Sequence, residues 1–96
     1  MLSMNDPVTK SDNVAVHERG DETYVLVLGD MMLHQLGDIE SFIWNSIDGR
    51  LTGMNLAELV STEYEVSLEE AERDVDSFLR EMADAGLIRR QDHQAE

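Results

Sequence analysis

Residues 22–51, ETYVLVLGDMMLHQLGDIESFIWNSIDGRL, constrain the fold more than any other stretch, because their apolar residues pass from strand to helix periodicity and stop at Gly49. Two strand-like runs meet at Gly29-Asp30, a two-residue hairpin signal. Ile39, Phe42, Ile43 and Ile47 then recur at helical spacing. A small sheet that feeds directly into helices, with no catalytic constellation in it, reads as a docking module.

A chain of 96 residues allows one domain. At this size about two-thirds of the unfolded surface is buried, which leaves no room for a large cofactor inside, and none is expected. Seven Lys plus Arg against 21 Asp plus Glu give a net charge of −14, which repels nucleic acid and anionic lipid and favours basic partners. Without cysteine there is no disulfide framework, thiolate zinc site or thiol nucleophile. The first residues, MLSMNDPVTKSDN, lack the charged and apolar regions of an export signal, and no apolar run approaches the ~20 residues needed to span a bilayer. These features predict a soluble cytoplasmic protein. Residues 1–12 and 91–96 are polar and without periodicity, and are expected to be mobile tails around a domain at 13–90.

Val14, Ala15 and Val16 place a first strand at about residues 13–18, joined through Arg19-Gly20-Asp21 to a second at 23–28. Both alternating sets of TYVLVL are apolar, which predicts a central strand covered on both faces. Met31 to Leu36 is more mixed because of His34 and Gln35, and is the edge candidate. An edge exposes unpaired N–H and C=O groups that a protein must cover, blunt or use.

A first helix is predicted at about 38–48, with Asp38 able to accept a first-turn N–H and Gly49 as its left-handed terminator. Trp44 falls roughly 140° from the Ile39/Ile43 stripe, so it is either a half-exposed surface residue or a contact to another element. Asn55 with Glu58, and Met54 with Leu59, predict a capped and stapled second helix at about 56–64. Ser67-Leu68-Glu69-Glu70 is a capping box, followed by Ala71, Val75, Phe78, Leu79 and Met82 at helical spacing, and Gly86 terminates a third helix at about 68–85. Leu87 is placed to contact Met82 across that end. The fold class is α+β and winged-helix-like: a three-stranded antiparallel sheet followed by three helices, βββααα.

Chemistry has little support. His17, His34 and His93 have no second ligand at a metal-site spacing, and Ser41, Ser46, Ser61 and Thr62 have neither a glycine-rich elbow nor a partnered histidine. Asp76, Glu81 and Asp84 read as the solvated face of the third helix. Asp74 differs, since it borders the apolar stripe beside Phe78 and Glu81, where it can meet a group lying along the helix. A winged-helix regulator would place the third helix in the major groove, but from Leu68 to Ala85 that helix carries seven acids and two bases, the reverse of what phosphate neutralisation requires.

The stretch from LGDMMLHQL through IESFIWNSIDGRLT to AELVSTEYEVSLEEAERDVDSFLREMADAGLI resembles the PqqD family, small peptide chaperones also called RiPP recognition elements. The resemblance covers roughly residues 13–90, and its most specific parts are Ile43-Trp44 with Asp48-Gly49, Asp74-Val75 with Phe78-Leu79, and Gly86-Leu87-Ile88. Many members carry Leu-Asn after the third strand where this chain has Leu36-Gly37, so the resemblance is to the family and assigns no subfamily, pyrroloquinoline quinone synthesis included.

The resemblance implies three antiparallel strands on three helices. It also implies a non-catalytic role, in which the leader of a ribosomally made precursor adds as a strand beside the third strand, in a groove against the third helix. The partners it implies are a precursor peptide and a maturation enzyme, such as a radical SAM enzyme or a leader peptidase, with no nucleic acid or membrane. The expected peptide-binding residues are Met31, Met32, Leu33, His34, Gln35 and Leu36 on the strand, and Asp74, Val75, Phe78, Leu79, Glu81 and Met82 on the helix. Backbone hydrogen bonds net only about 1 kcal/mol each, ordering a leader costs about 2–5 kcal/mol, and micromolar binding needs about 8 kcal/mol. Apolar anchors must contribute, and Leu33, Val75, Phe78 and Met82 are the expected ones. The alternatives are a winged-helix DNA-binding regulator and a structural docking subunit of an enzyme without a peptide ligand.

Overall fold

The computed structural model describes residues 2–20 and 22–91. Its elements are β1 (Val8–Lys10), β2 (Val14–Arg19), β3 (Glu22–Val27), β4 (Met32–Leu36), α1 (Asp38–Ser46), α2 (Gly53–Tyr64), α3 (Leu68–Asp84) and β5 (Ile88–Arg90). The order is thus ββββαααβ and not βββααα.

The alternating apolar residues form an antiparallel meander in the order β2-β3-β4. Thr23, Val25 and Val27 of β3 are buried against the helical layer, whereas Tyr24 and Leu26 on the opposite face are only half-buried. The central strand is therefore covered fully on one face, against the expectation of two, because α1, α2 and α3 supply a single layer. Arg19 pairs with Glu22, so the short connection lies at Gly20, whose φ of 65° suits glycine. At Gly29-Asp30 the expected two-residue turn is instead a four-residue loop, since Val27 pairs with Met32. Asp30 Oδ1 accepts from Met32 N at 3.0 Å, and Met31 takes the left-handed conformation at φ 57°.

Residues 2–12 are not a free tail. β1 pairs antiparallel with β5 in a second, two-stranded sheet, with Val8 opposite Arg90 and Lys10 opposite Ile88. Val8 N donates to Leu51 O at 3.0 Å, Gly49 N to Val8 O at 3.0 Å and Gln91 N to Pro7 O at 2.8 Å, so the segment is stitched to both the α1–α2 loop and the C-terminal strand. Val8 is fully buried. Gln91 thus belongs to the fold, while the rest of the expected C-terminal tail, including His93, lies outside the described residues.

The helix ends follow from capping, with three differences. α1 stops at Ser46 with Ile47 extended at its end, so Gly49, although at φ 86°, turns the following loop and does not terminate the helix. Gly37, not Asp38, is the N-cap of α1, and Glu40 Oε1 reaches back to accept from Gly37 N at 2.9 Å. α2 starts three residues earlier than expected, because Thr52 and Asn55 exchange side-chain bonds with each other's N–H at 3.1 and 3.0 Å and outcompete the Asn55–Glu58 pair. α3 spans nearly its predicted range, with only the Ser67 half of the expected capping box formed: Ser67 Oγ accepts from Glu70 N at 3.1 Å, and the far end closes with Leu87 N to Met82 O at 2.9 Å and Gly86 N to Ala83 O at 3.1 Å. This is a Schellman end with Gly86 at φ 86°. Trp44 takes the second of its two predicted roles, 1% exposed and covered by Lys10.

Candidate functional site

Among the described residues β4 hydrogen-bonds to β3 along one side only, which leaves its other side an open edge. The strand is fastened at both ends: Met32 N is held by Asp30, and Leu36 O accepts from Ser41 Oγ at 3.1 Å. Between these ties, pairing parity sorts the side chains. His34 lies opposite buried Val25 and Leu36 opposite buried Thr23, so Met32, His34 and Leu36 face the helices. Leu33 lies opposite Leu26, so Leu33 and Gln35 face away.

This arrangement revises the expected anchors. Leu33, 62% exposed, stands on the outer face and cannot line a groove against α3. Met31 is in the loop, and Leu36 is core. On α3, Val75, Leu79 and Met82 are spent on the domain's own core. Residues 71, 75, 78, 79 and 82 occupy one helical stripe, which the packed domain buries except for small margins such as the edge of Phe78.

The residues flanking the stripe remain available. Asp74, Ser77, Phe78 and Glu81 on α3 face Ile39, Glu40 and Ile43 on α1 across a groove of about 370 Å³. Its floor is apolar, from Ile39, Ile43 and the edge of the largely buried Phe78, and its rim carries Glu40, Asp74 and Glu81. Three predicted residues, Asp74, Phe78 and Glu81, are thus brought together. Ile39, Glu40 and Ile43 were not foreseen as lining, although the 36% exposure of Ile39 follows from its place at the first turn of the α1 stripe. α1 links the two features, packing on β3 and β4 while forming one wall of the groove.

His34 Nε2 is buried and has no hydrogen-bond partner among the described residues, a condition that costs about 1–3 kcal/mol and that an incoming polar group relieves. Among the described residues no three His, Cys, Asp or Glu side chains are grouped to hold a metal ion. A larger cavity of about 690 Å³ lies on the other flank of α3, between Leu2, Met4, Met54 and the α3 residues Glu69, Arg73, Asp76 and Arg80. No strand residue lines either cavity, but α1, one wall of the smaller groove, packs on β4, so the α1–α3 groove is the better candidate for a site that includes β4.

The family described as Coenzyme PQQ synthesis protein D (PqqD) matches residues 14–88. No curated protein matches the chain. Among solved structures, the chain is similar to TbiB1 in complex with the TbiA(beta) leader peptide, at 26% identity and TM-score 0.77 over 92% of this chain and 99% of that one. It is similar to lasso peptide synthetase B1 complexed with the leader peptide, at 21% identity and TM-score 0.76 over 86% and 98% of the two chains. The PqqD truncation of Methylobacterium extorquens PqqCD, a stand-alone RiPP recognition element, matches at 18% identity and TM-score 0.76 over 94% and 96%. The last two likenesses are of fold alone.

Proposed function

The chain belongs to the PqqD family, and from that membership we propose that it is a non-catalytic peptide chaperone. It binds the leader of a ribosomally synthesised precursor by strand addition to β4 and presents the attached core to a modifying enzyme. The observation that carries this reading is the open edge of β4, packed on α1, with α1 also forming one wall of a helix-lined groove. The likeness to TbiB1, whose structure is a complex with a leader peptide, supports it.

In this reading the guest's backbone bonds to β4 between Met32 and Leu36, and side chains on its helix-facing side enter the groove over Ile39, Ile43 and Phe78. Asp74 and Glu81 line its rim. Met31, Leu33 and Gln35 serve as strand and loop backbone more than as pockets, and Val75, Leu79 and Met82 support the floor from beneath. The binding unit is residues 13–90, closed by β1. Rate enhancement comes from raising the local concentration of the core at the enzyme, a radical SAM enzyme or a leader peptidase, in the cytoplasm. No helix among the described residues is long and apolar enough to cross a membrane, which fits such a role. A winged-helix-like layout is compatible with it, while the acidic surface of α3 opposes duplex DNA.

Titrating the ¹⁵N-labelled chain with the leader of the precursor encoded nearest to it tests the proposal. Saturable binding with amide shifts in residues 32–36 and at 39, 74, 77 and 81 is the expected result. Shifts confined to α2 or to the first twelve residues would overturn it.

A further inference from the structure

The groove carries one sign of charge. Glu40, Asp74 and Glu81 rim it, Asp30 precedes β4 and Asp38 follows it. No Lys or Arg occurs from Gly20 to Gly49, so neither β3, β4 nor α1 brings a base to the site. The two bases of α3, Arg73 and Arg80, lie on its opposite flank, where Arg80 pairs with Asp76 at 3.1 Å. Asp74 and Glu81 have no hydrogen-bond or ion-pair partner among the described residues. The apolar residues of the groove, with the open strand edge that α1 also packs against, mark a seat for an extended guest, and the unpaired Asp74 and Glu81 on its rim set the guest's charge.

We infer that the α1–α3 groove selects an extended peptide whose apolar anchor is flanked by lysine or arginine on the same side of its strand. The inference rests on the peptide-chaperone reading and adds the chemistry of the guest. Side chains on one side of a strand recur every second residue, so the bases belong two positions before or after the anchor, where they reach Asp74, Glu81 or Glu40 while the anchor covers Phe78 and Ile39. Such pairs are exposed, so each contributes modestly to affinity and more to the rate of encounter and to the rejection of acidic competitors.

Selection of a displayed random twelve-residue peptide library on the intact chain tests this. Enriched sequences should carry an apolar residue with Lys or Arg at the second position on either side. A synthetic peptide with two such lysines should bind roughly five- to tenfold tighter than its glutamine version at low salt, and the difference should shrink at about 0.5 M salt. The double variant Asp74→Asn, Glu81→Gln should lose most of the preference, binding the lysine and glutamine peptides nearly alike, with circular dichroism showing that it is folded. Equal binding of the two peptides, or a preference that survives in the double variant, would overturn the inference and leave the groove reading standing. Failure to enrich or bind any peptide would overturn both.

Discussion

Lys10 Nζ lies 4.9 Å from the centroid of the Trp44 ring, which ties a strand at the start of the chain to the buried face of α1. Desolvation lowers the Lys10 pKa from its usual value, with Glu18 opposing the shift, so the ammonium sits partly withdrawn from water over the ring. Since Trp44 is the single tryptophan, its fluorescence reports this contact. Deleting residues 1–10 should lower the melting temperature and shift the emission to the red. Val8→Ala alone should cost about 1–3 kcal/mol in urea unfolding. Unchanged emission in the deletion would show that β1 does not cover Trp44.

Gly53 opens α2 where the N-terminal segment crosses it. A Cβ there would stand 2.6 Å from Met4 Sδ and 3.1 Å from Met4 Cα, and Met54 N donates to Met4 O at 2.9 Å, so the backbone of the segment cannot easily retreat. Gly53→Ala should therefore destabilise the full chain although alanine is favoured in helices by up to about 1 kcal/mol. In a chain beginning at Val8 the same substitution should be neutral or stabilising. Thermal unfolding of the four proteins decides between these signs.

Asp48 Oδ1 accepts from Arg50 N at 2.8 Å and Leu51 N at 3.0 Å, holding the α1–α2 loop. The backbone bonds from Leu51 and then Arg50 lower its pKa below 3.8. A carboxylate with a depressed folded pKa stabilises above its unfolded value, and that contribution is lost as pH falls through the folded value. Urea midpoints measured between about pH 7 and about pH 2.5 should thus fall less steeply for Asp48→Asn than for the natural sequence.

The groove separates binding from folding at two neighbouring positions. Ile39 is partly exposed, and Ile39→Ser should weaken leader binding about tenfold with little change in stability. Phe78 is 4% exposed, so Phe78→Ala should cost about 3–5 kcal/mol and lose binding together with the fold. Calorimetric titration beside circular dichroism distinguishes the two.

Parity on β4 gives a further contrast. Leu36→Ala should cost about 2–5 kcal/mol, whereas Leu33→Thr on the outer face should stay within about 0.5 kcal/mol, as read from denaturant midpoints. Equal losses would mean that the register of β3 and β4 is shifted.

The sequence by itself determined what neighbours in the chain settle. α3 runs from the Ser67 cap to the Gly86 end as its residues dictate, because capping and the Schellman bonds span only three to five positions. The three-strand meander and the edge position of β4 were equally legible. Pairing of β1 with β5 was not legible, since three-residue strands about 80 positions apart carry no local periodicity and only Val8 signals burial. The tertiary structure alone decided which apolar residues remain available to a guest. A helical stripe shows which side chains turn inward, but whether Phe78 lines a groove while Val75 and Met82 vanish beneath it depends on where α1 lands, and that is fixed by packing across the whole domain.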